Sequence, residues 1–199
     1  NEKENNYIFA LTSFGEEFAL AGCDLSTGEF FTSNLENMPQ LFHELSRYNP
    51  SECILPETLK VNQELIQKIQ TFGCYVNYLM DYHFSYDKAK ELLLKHFNLH
   101  NLDSFGLEEK KLNVSVSGAL LKYLIDTQKN SLTHLKRISL MGSQNKMWLD
   151  SSTLRNLELL KNIKDGSTRG SILSVLDKTI TCLGARLLKK WMKEPLLYQ

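Results

Sequence analysis

Short apolar runs bounded by turn residues open this chain, and helical spacing first alternates with them and then replaces them. Residues 7–14 (YIFALTSF) and 18–25 (FALAGCDL) are two strand-like runs parted by Gly15-Glu16-Glu17. Ser26-Thr27-Gly28 turns the chain into a third run at 29–32, as a tight hairpin does. Residues 37–48 predict a helix: Pro39 is tolerated in its first turn, and Leu41, Leu45 and Tyr48 fall on one side. A short strand at 52–55 is closed by Pro56, a helix at 62–71 turns Leu65, Ile66 and Ile69 inward, and Gly73 precedes a strand at 74–79. A further helix at 85–97 aligns Tyr86, Ala89, Leu93 and Phe97. The order β-β-β-α-β-α-β-α predicts an α/β sheet covered by helices.

Helical spacing dominates the rest. A polar connection at 100–111 contains Gly106 and passes from acid to base at Glu108-Glu109-Lys110-Lys111. The reading places a domain boundary there, giving domains 1–109 and 110–199, the second an all-α partial domain. Residues 113–129 predict a helix with Val116, Leu120, Tyr123, Leu124 and Thr127 in one stripe and Lys122 and Asp126 opposite. Residues 129–147 read as loop with a short strand at 138–140. Asp150 or Ser151 can cap a helix bearing Leu154, Leu157 and Leu160, the 166–170 loop breaks it, and Ser171 can cap the next. Thr179 or Thr181 can cap a last helix, whose stripe of Leu183, Leu187 and Trp191 is widened by Leu188 and Met192 until Pro195 ends it. The sequence has no internal repeat or low-complexity tract.

Composition narrows the class. At 199 residues and 42% hydrophobic, the chain can bury one large core or two small ones. No apolar run nears the ~18 residues of a membrane span, and no leader precedes the first strand, so a cytoplasmic protein is expected. The absent initiator Met fits an excised fragment. Cys23, Cys53, Cys74 and Cys182 are scattered without a C-x-x-C pair and read as reduced thiols. A net charge of zero hides a split: residues 1–109 hold 7 Lys+Arg against 17 Asp+Glu, and residues 110–199 hold 16 against 6. The acidic half should fold alone and bind DNA weakly, since it repels phosphate. Mutual attraction of the halves explains the split equally well.

The strand order matches the ribonuclease H-like fold, which hosts both nucleases and inert modules. A two-metal nuclease needs several carboxylates, the first in the middle of strand one, and residues 7–14 carry none. Surface solvation is the better reading of Asp24, Glu29, Glu44 and Glu57. His43, His83, His96 and His100 lack metal spacing, although the last two stand four apart. No G-x-S-x-G occurs, and 166–171 (GSTRGS) lacks the lysine and spacing of a phosphate loop. Arg186, Lys189, Lys190 and Lys193 give the last helix a positive face that suits its C-terminal dipole; no aromatics interleave for base stacking.

Blocks at 24–30 (DLSTGEF), 52–56 (ECILP), 103–106 (DSFG), 120–129 (LLKYLIDTQK) and 149–197, above all 185–196 (ARLLKKWMKEPL), follow one another in the order and spacing of the MutS family. The chain resembles the connector domain and the start of the core (lever) domain of these mismatch-recognition ATPases. Cys182 departs from the family's usual proline, at a helix first turn where the change costs little. The resemblance singles out Asp24 and Gly28 in the first module as structural motif residues. In the second it singles out Asp150, Thr153, Arg155, Asn156, Leu157, Asp177, Gly184, Arg186, Leu187, Trp191 and Pro195. It implies no catalytic, cofactor or metal residue here: the mismatch-reading domain, the clamp and the ATPase, with its ATP and Mg²⁺, belong to the complete protein. By the same resemblance the fragment relays mismatch and ATP state between domains and helps dock a MutL-type factor. Duplex DNA and dimerisation are reached through the complete protein, associated with the bacterial nucleoid, and the fragment is compatible with a monomer. A ribonuclease H-like metal-dependent nuclease, or junction-processing enzyme, with a helical appendage is the alternative.

Overall fold

The three opening runs pair as a meander because each presents apolar side chains to both faces of a sheet. The computed structural model describes residues 6–15, 17–128, 132–141, 149, 151–193 and 195. In it β1 (Tyr7–Phe14) lies antiparallel to β2 (Glu17–Asp24), and β2 to β3 (Glu29–Leu35). On the other side of β1, β4 (Glu52–Pro56) and then β5 (Tyr75–Leu79) join in parallel. A three-residue strand, β6 (Ser139–Met141), adds parallel to β3, so the order is β5-β4-β1-β2-β3-β6. The described residues form two compact units, within Asn6–Gly142 and within Ser143–Gln199, and each is described by itself.

Helices α1 (Met38–Tyr48) and α2 (Gln63–Thr71) pack on one face of this sheet. Asn37 caps α1 by accepting from the Gln40 amide at 3.0 Å, and left-handed Asn49 (φ 48°) ends it. The core here is aromatic: Phe9 and Phe31 meet edge to face at 5.9 Å, and Phe31 stacks on Tyr48 at 4.8 Å. Gly22 stands between Phe9 and Phe31 in the register, and a Cβ there would fall 2.5 Å from the Phe31 ring. Glycine is what lets the two rings close over the middle strand.

The opposite face is lined by small residues, Ala10, Ala19 and Ala21, and receives α3 (Tyr86–Phe97) and α4 (Lys111–Thr127). Helix α4 is buried on all sides from Asn113 to Leu121. Its Gly118 meets α3 so closely that a Cβ would fall 2.4 Å from Ala89. Inside the contact, Asn113 Nδ2 donates to Thr32 Oγ1 at 3.0 Å and the Thr32 hydroxyl donates to the Leu20 carbonyl at 2.9 Å.

Here the structure departs from the sequence reading. The expected boundary after Glu109 falls inside the first unit, because α4 and the following segment complete its core through Val114, Val116, Leu120, Leu124, Leu132, Leu135 and Ile138. The change of charge at Glu109-Lys110 is a surface feature at the start of α4. The helix also begins and ends two residues before the expected 113–129, and Thr127 is exposed.

The second unit holds α5 (Ser151–Asn156), α6 (Ile172–Leu176) and α7 (Cys182–Lys193). Ser171 caps α6 by accepting from the Ser174 amide, and Thr181 Oγ1 accepts from the Gly184 amide at the start of α7. Helix α5 is shorter than the expected leucine stripe, since Glu158 turns left-handed at φ 47° and the chain returns through Ile172 N–H to Glu158 O.

Two outcomes follow. Gly118→Ala should lower stability by about 1–3 kcal/mol in urea unfolding, because overpacking against Ala89 outweighs the ~1 kcal/mol that alanine gains in a helix. A piece spanning residues 1–109 should show no cooperative unfolding transition, whereas one spanning 6–142 should.

Candidate functional site

The first module's motif residues form the β2–β3 turn. Asp24 is fully buried and its Oδ1 accepts from the Ser26 amide at 2.9 Å and hydroxyl at 2.6 Å. The Asp24 carbonyl accepts from the Gly28 amide at 2.9 Å, and Gly28 closes the turn at φ 72°. A Cβ on Gly28 would sit 3.0 Å from the His134 carbonyl, so the glycine admits the segment after α4. Glu29, opposite Asp24 in the register, accepts from the Tyr7 hydroxyl at 2.7 Å. Burial and the neighbouring Asp24 and Glu29 carboxylates push the Cys23 thiol up to about 12, so it stays protonated and inert. These acids serve a turn and a phenol. Among the described residues no group of three or more His, Cys, Asp or Glu side chains is placed to hold a metal ion.

A second polar centre, absent from the sequence reading, lies between β4, β5 and α4. Glu52 Oε2 accepts from the Tyr123 hydroxyl at 2.6 Å and from Asn77 Nδ2 at 3.1 Å; Asn77 Nδ2 also reaches Tyr123 Oη at 3.2 Å. All three side chains are half-buried. Burial and the Glu52 carboxylate push the Tyr123 phenol up to about 12. The helical stripe places Tyr123 among apolar residues, and only its hydroxyl distinguishes it from a core aromatic. Nearby, the interaction of the Cys53 and Cys74 thiols pushes the Cys53 pKa up and that of Cys74 down.

The remaining motif residues make turns and a surface. Asp177 Oδ1 accepts from the Thr179 amide at 3.1 Å and hydroxyl at 2.6 Å, shaping the link between α6 and α7. Gly184 lies where a Cβ would come 3.2 Å from Thr181 Oγ1. Thr153 is half-buried on α5, Arg155 and Asn156 are exposed there, and Asp150 lies outside the described residues. Leu187 and Trp191 are exposed on α7, whereas Arg186 and Pro195 are half-buried. The stripe expected to pack is thus open: Leu183, Leu187 and Trp191 are 63%, 46% and 64% exposed, and Val175 and Ile180 add to this apolar surface. Lys189, Lys190 and Lys193 are half-buried. Missed altogether was the loop built on Asn162, whose Nδ2 donates to Ser167 Oγ and the Arg169 carbonyl and whose Oδ1 accepts from the Asp165 amide.

Comparison with known proteins gives this arrangement a context. The family model for MutS domain II matches residues 6–136, running past Glu109 as the first unit does, and that for MutS domain III matches residues 152–199. The chain is 39% identical over 199 residues to the DNA mismatch repair protein MutS of Protochlamydia amoebophila, covering 99% of this chain and 23% of that protein. It is 41% identical over 199 residues to the protein of the same name from Dehalococcoides mccartyi, covering 100% of this chain and 22% of the relative. For that of Ruminiclostridium cellulolyticum the identity is 37% over 201 residues, with 99% and 23% covered. The chain spans less than a quarter of the length of these curated relatives.

The Tyr123 centre gives a titration test. A folded-state pKa near 12, above the ordinary 10, means that folding retains a proton the unfolded chain releases. Stability from this group is complete below pH ~10 and is lost as pH rises towards 12. The tyrosinate absorbance difference between the native chain and Tyr123→Phe should have its midpoint near 12, and the variant should lose less stability across that interval.

Proposed function

The chain belongs to the MutS family, as its domains II and III, and from that premise we propose that it acts as the connector and the opening of the core in a DNA mismatch-repair protein. In this reading it carries no catalysis of its own. It passes mismatch and nucleotide state between the domains it joins and contributes to docking a MutL-type factor. The observation that carries the proposal is the continuous succession of two MutS domains along one chain, at 37–41% identity to proteins named for mismatch repair. The open apolar surface of α6 and α7 supports it, since a face of this kind marks an interaction site.

We read the first unit as ribonuclease H-like in topology. The β-β-β-α-β-α-β-α succession is present in the described residues, and β4 and β5 flank β1 opposite the meander. The metal-dependent nuclease weighed on the same topology draws no support from the acids, which are committed to the β2–β3 turn and to Tyr7. ATP and Mg²⁺ enter this proposal as ligands of the complete protein, because the sequence has no G-x-x-x-x-G-K-[ST] loop to cradle a triphosphate. A cytoplasmic, nucleoid-associated setting goes with a DNA-repair role. No helix among the described residues is long and apolar enough to cross a membrane.

The test uses the 199-residue chain. It should hydrolyse no ATP, bind mismatched and matched duplexes alike, and bind an isolated MutL-type factor saturably in titration calorimetry. Mismatch-selective binding, or no detectable association with the MutL-type factor, would overturn the proposal.

A further inference from the structure

We propose that the free edge of β5 is a docking strand for an extended segment of a partner protein in which lysine or arginine alternates with apolar residues. The backbone supplies the first argument. The Tyr75 amide donates to the Ser51 carbonyl at 2.9 Å, so Tyr75, Asn77 and Leu79 turn their polar groups towards β4. Strand alternation then turns the N–H and C=O of Val76 and Tyr78 away from the sheet, and β5 is its outermost strand among the described residues. Natural edges are blunted by lysine, proline, bulges or brevity. Residues 75–80 (YVNYLM) have no charge and no proline, and β5 pairs with β4 in unbroken register from Tyr75 to Leu79. The opposite edge, β6, has only three residues.

The two faces of this edge differ, which specifies the occupant. On the α4 face, Asn77 and Tyr123 hold one oxygen of Glu52, and the second takes no hydrogen bond among the described residues. Tyr75 lies opposite Glu52 in the register and is 77% exposed. A fixed carboxylate beside an open aromatic ring accepts an ammonium or guanidinium by charge and by cation–π contact. On the other face, Val76 and Tyr78 continue the apolar core of α2; Lys60, paired with Glu57, covers the Tyr78 ring at 4.9 Å, and Val76 asks for an apolar side chain. Since strand side chains alternate between faces, one added strand meets both demands only with alternating basic and apolar residues. A second copy fits less well as the occupant, because two-fold antiparallel pairing of β5 about Asn77 sets Leu79 opposite Tyr75 and brings no cation to Glu52.

The test titrates the isotope-labelled 199-residue chain with a short peptide alternating Lys and Val, observed by amide chemical shifts. Saturable shifts confined to β5, Glu52 and their neighbours are expected. A Glu–Val peptide of equal length should bind at least about tenfold more weakly, as should the Lys–Val peptide N-methylated on the residues of its bonding edge. Glu52→Gln should weaken the Lys–Val peptide about five- to tenfold and leave a Ser–Val peptide unaffected. The N-methylated peptide needs no change to the protein, so a misfolded variant cannot mimic its effect. Absence of saturable shifts, indifference to N-methylation, or concentration-dependent self-association through β5 without peptide would each overturn the proposal.

Discussion

The close approach of Gly118 to Ala89 fixes the α3/α4 face of the sheet. A side chain at either position larger than the one present would separate the two helices, and α4 could not then sit in the shallow bed of Ala10, Ala19 and Ala21. With the approach made, α4 crosses the sheet as a strut. Asn113 anchors one end to Thr32 on β3, and Tyr123, ten residues and about 15 Å further on, reaches Glu52 on β4 and Asn77 on β5. A helix that touches both halves of the sheet explains why the chain up to Glu109 is only part of a domain.

Much of this was legible in the sequence, and the failures share a cause. The meander, the crossover helices and the succession of elements along the chain were readable because apolar runs and turn residues report local backbone needs directly. The caps were readable for the same reason: Ser171 and Thr181 satisfy amides where the pattern placed them. The domain boundary was misplaced because exposed charge reports solvent and says nothing about which core a helix completes. Helix α4 carries Asn113, Ser115, Ser117 and Gly118 on surfaces that are buried, so its pattern read as one apolar stripe with a polar back. The short strand expected at 138–140 is present as β6, one residue further on, but its pairing with β3 is a long-range contact that no local signal encodes.

The candidate sites were less legible than the fold. Family motif residues turned out to be turn-makers: Asp24, Gly28 and Asp177 hold backbone amides or admit a neighbouring chain, and Gly184 tolerates a tight contact. Their identities are set by geometry more than by chemistry. The Glu52–Asn77–Tyr123 centre escaped notice because its members are separated by 25 and 46 positions and each alone is unremarkable. On α7 the periodicity correctly grouped Leu183, Leu187 and Trp191, but periodicity gives only a shared face and is silent on what covers it.

The same strut constrains how the first unit can relay a signal. Sliding α4 along its axis would break the Asn113–Thr32 bond and the Tyr123–Glu52 bond together. It would also drive Gly118 out of the one position where the Ala89 backbone can be met. Leaving the buried Asn113 and Thr32 groups unpaired costs about 1–3 kcal/mol each, the half-buried Tyr123 and Glu52 groups less, and the displaced helix would leave voids over Ala19 and Ala21. Independent motion of the helix is therefore the expensive route. In the proposed relay the sheet, α3 and α4 would move as one body, and a state change passed through this unit would take the form of rotation at its boundaries. Glu52 and Asn77 belong to that body at the β5 edge, while Gly28 and the His134 carbonyl belong to it beside the β2–β3 turn. A partner strand added at β5 would accordingly be coupled to the β2–β3 turn through rigid rotation, with no rearrangement of the core between them.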